Sequence, residues 1–331
     1  MKLMGLLNIP PHLISRDRHS FPREFAFILL LRRMAYPGRL TDSETEFGRE
    51  HTALSRCISL IVQWLDEHHS RRITDNLAFW MPYQQRYAAA VAQKVDLPAG
   101  MMHVNSFLDG TQKSVCRPGD GPDRPHEAQH MWYSGYYRAH GFKMQSMMYP
   151  SGKLISHQMQ RALQYLYNPN THCIYIICYA SGMIGHLYGP ISCKRHDCYL
   201  LRRSMLHEKL SILLAQFPVD YLCYGDAAYP LLRHITRGAR RVRNPGPNNA
   251  LDIENNRKMS KVRECVEWGF GKIVNLWAFL DFKKNLQIYS SPISTYYTVM
   301  ANLTNCHTCL YGGQTACYFE CLPPSLEEYL Q

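Results

Sequence analysis

Apolar residues recur with the period of a helix through the first third of the chain. The pattern predicts a helix over 21–36, capped by Ser20 and ended at Pro37, followed by a short helix over 42–47. A third helix is predicted to begin at Thr52, whose hydroxyl can cap it. Its apolar face consists of Leu54, Ile58, Ile61, Val62 and Leu65. This part of the chain is therefore expected to be all-α.

These helices have two interpretations. Helices joined by a short turn that contains a glycine, here Gly48, are typical of a helix-turn-helix. In that case Ser55, Arg56 and Ser59 would point outward, and Ser55 and Arg56 are candidate DNA contacts. A plain helical bundle without contact to DNA would show the same pattern. Residues 1–98 are predicted to form this small N-terminal helical region.

From residue 99 onward the pattern changes to short apolar runs with the length of strands. Strands are predicted at 103–108, 138–148, 183–188 and 221–224, and the segment 117–131, rich in proline and glycine, is predicted to be a loop. One helix carries Leu200, Leu201, Leu206, Leu210, Leu213 and Leu214, and the last core helix carries Val262, Val266, Phe270, Ile273, Val274 and Trp277. The fold class indicated is α/β, a mixed sheet flanked by helices.

Three acidic residues stand out against these elements. Asp109 is expected at or near the end of the first strand, Asp226 follows the fourth strand, and Glu267 lies at the edge of the last helix's apolar face. Three carboxylates from distant segments are the usual protein arrangement for holding divalent metal ions beside a phosphodiester. Taken singly, each has a plainer explanation: an Asp after a strand is usually a turn residue, and Glu267 could pair with Arg263 on the surface.

The residues around these acids resemble a known family. Asp109-Gly110-Thr111, the string WYSGYYRAHGFKMQ at 132–145, GMIGHLYGPISCKRHD at 182–197, Gly225-Asp226-Ala227-Ala228-Tyr229-Pro230 and the string VEWGFG at 266–271 occur here in the order found in PIF/Harbinger-type transposases, a group that includes the harbinger-transposase-derived nucleases. The similarity runs from about residue 20 to the C-terminal end of the sequence. Each string alone is weak, whereas their order is specific.

The resemblance implies an RNase H-like DDE nuclease domain over 99–331, preceded by the helix-turn-helix-like region. It implies Asp109, Asp226 and Glu267 as catalytic metal ligands for Mg²⁺ or Mn²⁺, with DNA as substrate. Asp197 is then a helix cap, a fourth acid near the metals, or both, and the cap is the favoured role. The family also implies a nuclear location, with the cytoplasm as an alternative, and a separate Myb-like DNA-binding partner.

One segment departs from the family pattern. Removing 152–181 joins Tyr149-Pro150-Ser151 to Gly182-Met183-Ile184 and restores the usual pattern. The segment is therefore predicted to be an insertion at a hairpin tip, either a translated intron or a folded helical addition. A long loop at such a tip adds little closure entropy, so the fold is expected to tolerate it.

The charge of the chain favours a polyanionic partner. The formal net charge is +11, and five arginines fall within eleven residues that contain no acid: Arg233, Arg237, Arg240, Arg241 and Arg243. They are predicted to form a phosphate-contacting loop near Asp226, the alternative being a solvated loop. No membrane association is expected, because the longest apolar runs have seven residues. No signal peptide is expected either, since Pro10, Pro11 and charges follow the first residues.

The twelve cysteines are irregularly spaced, which favours reduced thiols over a disulfide framework. Cys306, Cys309, Cys317 and Cys321 have ligand chemistry suited to zinc, but the short spacing between the two pairs makes zinc an unfavoured assignment.

Taken together, the acids, the charge and the family resemblance predict a metal-dependent DNA endonuclease or transposase, which cleaves phosphodiester bonds and can carry out strand transfer as a second step. The alternative is a catalytically silent, transposase-derived DNA-binding or adaptor protein.

Overall fold

The computed structural model describes residues 2–95, 102–119, 128–150, 182–238 and 248–331. The predicted insertion at 152–181 lies outside the described residues, as do Arg240, Arg241 and Arg243. Pro150 and Gly182, which flank the predicted insertion, pair directly across a hairpin. The insertion thus remains a prediction, but the described residues on either side of it are paired neighbours on adjacent strands.

The N-terminal part is helical with a small β-hairpin. Its elements are α1 (Lys2–Leu6), β1 (His12–Ile14), β2 (Ser20–Pro22), α2 (Arg23–Ala35), α3 (Ser43–Phe47), α4 (His51–His69), α5 (Arg71–Thr74), a 3₁₀ helix (Leu77–Tyr83) and α6 (Gln84–Lys94). The predicted face of α4 is confirmed: all five of its apolar residues are buried. Gly48 ends α3 in the left-handed conformation, with φ of 63°.

Both predicted helix caps were wrong, because each helix begins at a different residue from the one predicted. Ser20 pairs with Ile14 in the β1–β2 hairpin, so α2 starts later, after Pro22. At α4 the first residue is His51, whose backbone N–H donates to the carboxylate of Glu44 at 2.8 Å. An acid from the preceding helix therefore satisfies the amide that a cap would otherwise serve, and Thr52 lies inside the helix.

The sheet combines antiparallel and parallel pairing. Its strands are β3 (Val104–Ser114), β4 (Tyr133–Ser134), β5 (Ala139–Pro150), β6 (Gly182–Ser192), β7 (Leu222–Gly225) and β8 (Ile235–Arg237). The order across the sheet is β6–β5–β3–β7–β8, and the short β4 pairs with the first residues of β5. The three long strands β3, β5 and β6 pair antiparallel, whereas β7 and β8 run parallel to β3. The predicted mixed sheet is thus confirmed.

Helices flank this curled sheet. They are α7 (Ala128–Trp132), α8 (Asp197–Ser204), α9 (Leu206–Leu214), α10 (Asn248–Leu276), α11 (Ile293–Tyr311), α12 (Gln314–Phe319) and α13 (Leu326–Leu330). The single helix predicted over the leucines is in fact two, because Met205 takes the left-handed conformation with φ of 53°. Its neighbour Ser204 donates its hydroxyl to the carbonyl of Leu201, and the same hydroxyl lies 3.3 Å from Gln145 of the sheet. These contacts of Ser204 hold the chain at the point where α8 ends and α9 begins.

One hydrophobic core connects the N-terminal helices to the sheet and the C-terminal helices. At its centre Trp80 and Tyr87 both stack on Tyr149 of β5. Gly185 lies opposite, where an added Cβ would come 2.3 Å from the Tyr149 ring. Any larger residue there would have to displace this stack. Among the described residues no helix is long and apolar enough to cross a membrane.

Candidate active site

Asp109 lies midway along β3 rather than at the strand's end as predicted. The strand continues through Ser114 because β5 pairs with it along this whole stretch, with Asp109 opposite Ser146 and Ser114 opposite Gly141. The Asp109 side chain is only 17% exposed. β3 is therefore longer than the sequence predicted, because it pairs with β5 beyond Asp109. Asp109 lies on the surface of the sheet.

Asp197 reaches this strand from α8. His196 is the N-cap of that helix and Asp197 is its first residue, so the predicted capping role is wrong. The Asp197 carboxylate instead accepts from Lys143 Nζ of β5 at 3.1 Å. A Cβ atom added at Gly110 would come only 2.7 Å from Asp197 Oδ1. Because position 110 has no side chain, a second carboxylate fits beside Asp109.

Asp226 directly follows β7, as predicted, and β7 is the parallel neighbour of β3. Its Oδ1 atom accepts from the backbone N–H of Ala228 at 2.9 Å, which fixes a tight turn. Tyr229 in this turn is fully buried, and its hydroxyl accepts from Gln145 Nε2 at 3.2 Å. The turn is thus anchored to the sheet through a buried tyrosine.

Glu267 lies on α10, and the predicted apolar face of that helix is confirmed in the burial of Val262, Val266, Phe270 and Ile273. Its side chain is 61% exposed and lies 3.8 Å from Arg263, one helical turn earlier. Arg263 also donates from Nη1 to Asp109 Oδ2 at 2.8 Å. One guanidinium therefore connects Glu267 with Asp109, and the two acids lie on the same side of the sheet.

The electrostatics indicate that three of these acids share one region. Burial raises the pKa of Asp109; Arg263 and the Gly110 N–H oppose that effect, and the Asp226 and Asp197 carboxylates add to it. Burial also raises the pKa of Tyr229, and the charges of Asp197, Asp109 and Asp226 raise it further. The carboxylates thus interact with one another and with the cations Lys143 and Arg263.

The donor atoms suit a hard divalent cation, but their placement does not. Carboxylate oxygens are the ligands that Mg²⁺ prefers. Within the described residues, however, no group of three or more His, Cys, Asp or Glu side chains is placed to hold a metal ion. Arg263 occupies one oxygen of Asp109, and Lys143 occupies one oxygen of Asp197. Cations of the protein itself therefore compensate the charge of two of these acids.

The arginines predicted to contact DNA are engaged within the protein where they are described. Arg233 pairs with Asp220 at 3.1 Å on the surface. Arg237 donates to the carbonyl of Ala227 at 2.6 Å, which fastens the turn after Asp226. At the N-terminal region, Ser55 and Arg56 are exposed as predicted, and Arg56 lies 3.8 Å from Asp17 of the β1–β2 turn.

Sequence reasoning missed three structural features around the acids: the contact of Lys143 with Asp197, the buried Tyr229 and the link from Arg263 to Asp109. The pairing of Arg263 with Glu267 was predictable from their spacing of four. No sequence signal connects Arg263 with Asp109, which lies 154 positions away. Tyr229 belongs to the family-like string after β7, but its burial depends on packing against Gly225, where a Cβ would come 2.6 Å from its ring.

One family model matches part of the chain. Residues 158–305 match the family described as DDE superfamily endonuclease. The match includes Asp197, Asp226, Arg263 and Glu267, whereas Asp109 precedes it. No curated protein matches the chain, and no solved structure does. Over this range the chain is therefore similar to DDE superfamily endonucleases, and its curled mixed sheet flanked by helices is compatible with the fold of such a nuclease.

Proposed function

We propose that this chain is a metal-dependent DNA endonuclease of the DDE type, related to the PIF/Harbinger transposases. The observation that carries the proposal is the meeting of Asp109 and Asp226 from parallel neighbouring strands with Asp197 and, through Arg263, with Glu267. These acids come from four separate elements, which is the arrangement expected for phosphodiester cleavage and strand transfer.

The sheet order supports the proposal. Counted along the chain from β3, and leaving out the short β4, the strands are arranged third, second, first, fourth and fifth, with the last two parallel to the first. This is the order expected of an RNase H-like domain. In that arrangement the first and fourth strands are adjacent, so acids on β3 and after β7 are brought together by topology alone.

Each acid has a distinct place in the proposed site. Asp109 and Asp226 supply carboxylates from the sheet, Glu267 supplies one from the solvent side, and Asp197 is a fourth acid. Once released from Lys143 and Arg263, their oxygens are suitable ligands for Mg²⁺ or Mn²⁺. Tyr229 fills the space beneath them and keeps the Asp226 turn in place.

A DNA path is proposed along the strands that lead away from Asp109. Ser114 lies five positions after Asp109 on β3, about 17 Å further along the extended strand. Beyond it Lys283 and Lys284 are exposed, and the β4–β5 hairpin carries Tyr136, which is 88% exposed. Cations that contact phosphates and aromatic rings that stack on bases are the usual components of such a surface.

The remaining DNA contacts stay proposals from sequence. They are Ser55 and Arg56 on α4, used as a helix-turn-helix, and the arginines from Arg233 to Arg243. A nuclear location and a Myb-like partner are proposed on the family resemblance alone.

A second candidate function is a catalytically silent DNA-binding or adaptor protein. The ion pair between Arg263 and Asp109 favours it, since the charge of Asp109 is then compensated within the protein itself. Cleavage of duplex DNA with Mg²⁺ or Mn²⁺ decides between the two. We expect cleavage by the unaltered protein and none by Asp226→Asn. DNA binding without cleavage by the unaltered protein would favour the adaptor.

A further inference from the structure

We propose that a small cleft, where α2 and α4 meet the residues before α11, binds a phosphate group of the DNA backbone. The inference assigns a DNA contact that is separate from the acidic residues on the sheet. That the phosphate belongs to DNA rests on the proposed function, whereas the binding of a phosphate group by the cleft does not.

The cleft is small, polar and free of acids. Its volume is about 250 Å³, and its polar lining residues are Arg33, Ser55, Lys284, Gln287, Ser291 and Tyr296. No Asp or Glu is among the described residues that line it. Pockets that hold drug-sized ligands have about 300–1,000 Å³, so this cleft suits one polar group better than a whole nucleotide. Two cations among uncharged hydrogen-bonding groups favour an anion.

Arg33 is the residue on which the inference depends. Its Nη1 atom donates to the carbonyl of Gly38, and its guanidinium lies over the Phe279 ring, 4.9 Å from the ring centre. In the part of the chain that the structure describes, no carboxylate forms an ion pair with Arg33, whereas the adjacent Arg32 pairs with Glu46 at 3.0 Å. The guanidinium of Arg33 is thus held in place without a counter-charge.

The burial of Arg33 makes this missing counter-charge significant. The side chain is half-buried, and burial lowers the pKa of its guanidinium, with Tyr296 acting in the opposite direction. A charge removed from water is costly unless it is paired. An anion that enters the cleft would supply the pairing that the protein itself does not.

Lys284 adds a second positive charge from a different element. It lies in the 3₁₀ turn Lys283–Asn285 and is exposed. Two cations that line one cleft repel each other unless an anion lies between them. A phosphate group can accept two parallel hydrogen bonds from a guanidinium, and hydroxyl groups such as those of Ser55 and Ser291 can donate to its other oxygens.

The cleft lies beside the proposed DNA path. The backbone N–H of Cys116, two residues after the end of β3, donates to the carbonyl of Leu286 at 2.9 Å. Lys113 of β3 also pairs with Asp281 at 2.9 Å. These contacts join the end of β3 to the segment that carries Lys284. A duplex that follows β3 away from the acids therefore reaches the cleft, where a backbone phosphate would fix its position without reading its sequence.

The first experiment uses inorganic phosphate and the full chain without DNA. Phosphate at roughly ten times its dissociation constant should raise the melting temperature of the unaltered protein by about 2 °C, relative to chloride at equal ionic strength. Arg33→Gln and Lys284→Gln should each lose most of this shift, because each removes a charge from the cleft. Lys284 is exposed, so its variant is expected to fold even if Arg33→Gln does not.

Arg32→Gln is the matched control. Arg32 is the neighbour of Arg33 on α2, the change in charge is equal, and the side chain is paired with Glu46 outside the cleft. This variant should keep the full shift. It also corrects for the general stabilisation that phosphate produces by its exclusion from protein surfaces.

The second experiment asks whether the phosphate belongs to DNA. The affinity for duplex DNA is measured by fluorescence anisotropy over a range of salt concentrations without divalent cations. Arg33→Gln and Lys284→Gln should weaken binding to different DNA sequences alike. Each should lower the slope of log affinity against log salt by about one, the value for one lost phosphate contact. Arg32→Gln should leave the slope unchanged.

The outcomes separate this inference from the proposed function. Equal phosphate shifts in all four proteins would overturn the phosphate site, even if the unaltered protein cleaves DNA. Loss of the shift in Arg33→Gln and Lys284→Gln with an unchanged DNA salt slope would overturn the assignment to DNA, since the cleft would then take free phosphate. Both expected losses in a protein that does not cleave DNA would support the cleft and overturn the nuclease.

Discussion

Two regions of this protein carry residues that could bind metals, and they differ in how those residues are brought together. The acidic region consists of Asp109, Asp197, Asp226 and Glu267, from four elements far apart in sequence. The cysteine region consists of Cys306, Cys309, Cys317 and Cys321, within one short stretch of α11, α12 and the residues after them. Along the chain the cysteine region is by far the more compact of the two.

In the folded protein these four cysteines lie in different environments. Cys306 and Cys321 are buried in the core, whereas Cys317 is exposed, so the group is divided between interior and surface. Burial raises the pKa of Cys306 and Cys321 to about 12. Thiols that resist ionisation are poor zinc ligands, because zinc binds the thiolate.

The acidic region keeps its charges by pairing them. Arg263 contacts Asp109 and Lys143 contacts Asp197, so the carboxylates remain near one another without a bound metal. Closeness in sequence therefore says little about a metal site on helices. What matters is whether the environment supports the charged form of the ligand.

The largest effect is expected from the acids themselves. Asp109→Asn, Asp226→Asn and Glu267→Gln should each lower the DNA cleavage rate at least about a hundredfold, because an amide cannot replace an ionised metal ligand. DNA affinity should remain nearly unchanged. Asp220→Asn, an exposed acid paired with Arg233, is the control. Full activity in one of the three variants would remove that residue from the site.

The cysteine region should respond as core rather than as a metal site. Cys306→Ala should destabilise the protein by about 1–2 kcal/mol through loss of buried volume. Chelators should leave the melting temperature of the unaltered protein unchanged, and elemental analysis should find no stoichiometric zinc. One equivalent of bound zinc in the unaltered protein, and none in Cys306→Ala, would show that the cysteine region is a metal site.

A smaller effect is expected on stability in the acidic region. The pKa of Asp109 is raised, mainly by burial. Its contribution to stability is therefore complete below the pKa of the unfolded chain and is lost as pH rises through the raised folded value. At neutral pH without divalent cations, Asp109→Asn should raise the melting temperature by about 1–2 °C.

That gain should shrink as the pH falls from neutral through the raised pKa of Asp109, because the carboxyl in the unaltered protein then becomes protonated. Melting curves of both proteins from about pH 3 to about pH 8 provide the measurement. A gain that stays constant with pH would mean that ionisation of Asp109 is not its cause.

The smallest effect concerns the exposed thiol. Cys317→Ser should leave the melting temperature within about 1 °C, since the side chain lies at the surface. It should remove one rapidly reacting thiol in a colorimetric titration under mildly alkaline conditions, whereas Cys306→Ala should remove none. Loss of a rapid thiol in Cys306→Ala would show that the core around α11 opens readily.

The sequence by itself determined the elements that bury a regular apolar pattern. The face of α4 and the face of α10 were predictable because helical spacing and burial are both local properties of the chain. The position of Asp226 was predictable for the same reason, since a short apolar strand ends just before it. Asp109, Asp226 and Glu267 follow from these patterns and the family resemblance, whereas the role of Asp197 stayed open between a cap and a fourth acid.

Only the tertiary structure decided how these parts meet. The extension of β3 past Asp109 depends on pairing with β5, and the start of α4 depends on Glu44 from another helix. The contact of Arg263 with Asp109 joins residues 154 positions apart. Such contacts depend on strand order and on the space left by Gly110, and no local pattern encodes a neighbour that arrives from a distant segment. The sequence therefore specified the acids, and the fold decided that a cation lies between them.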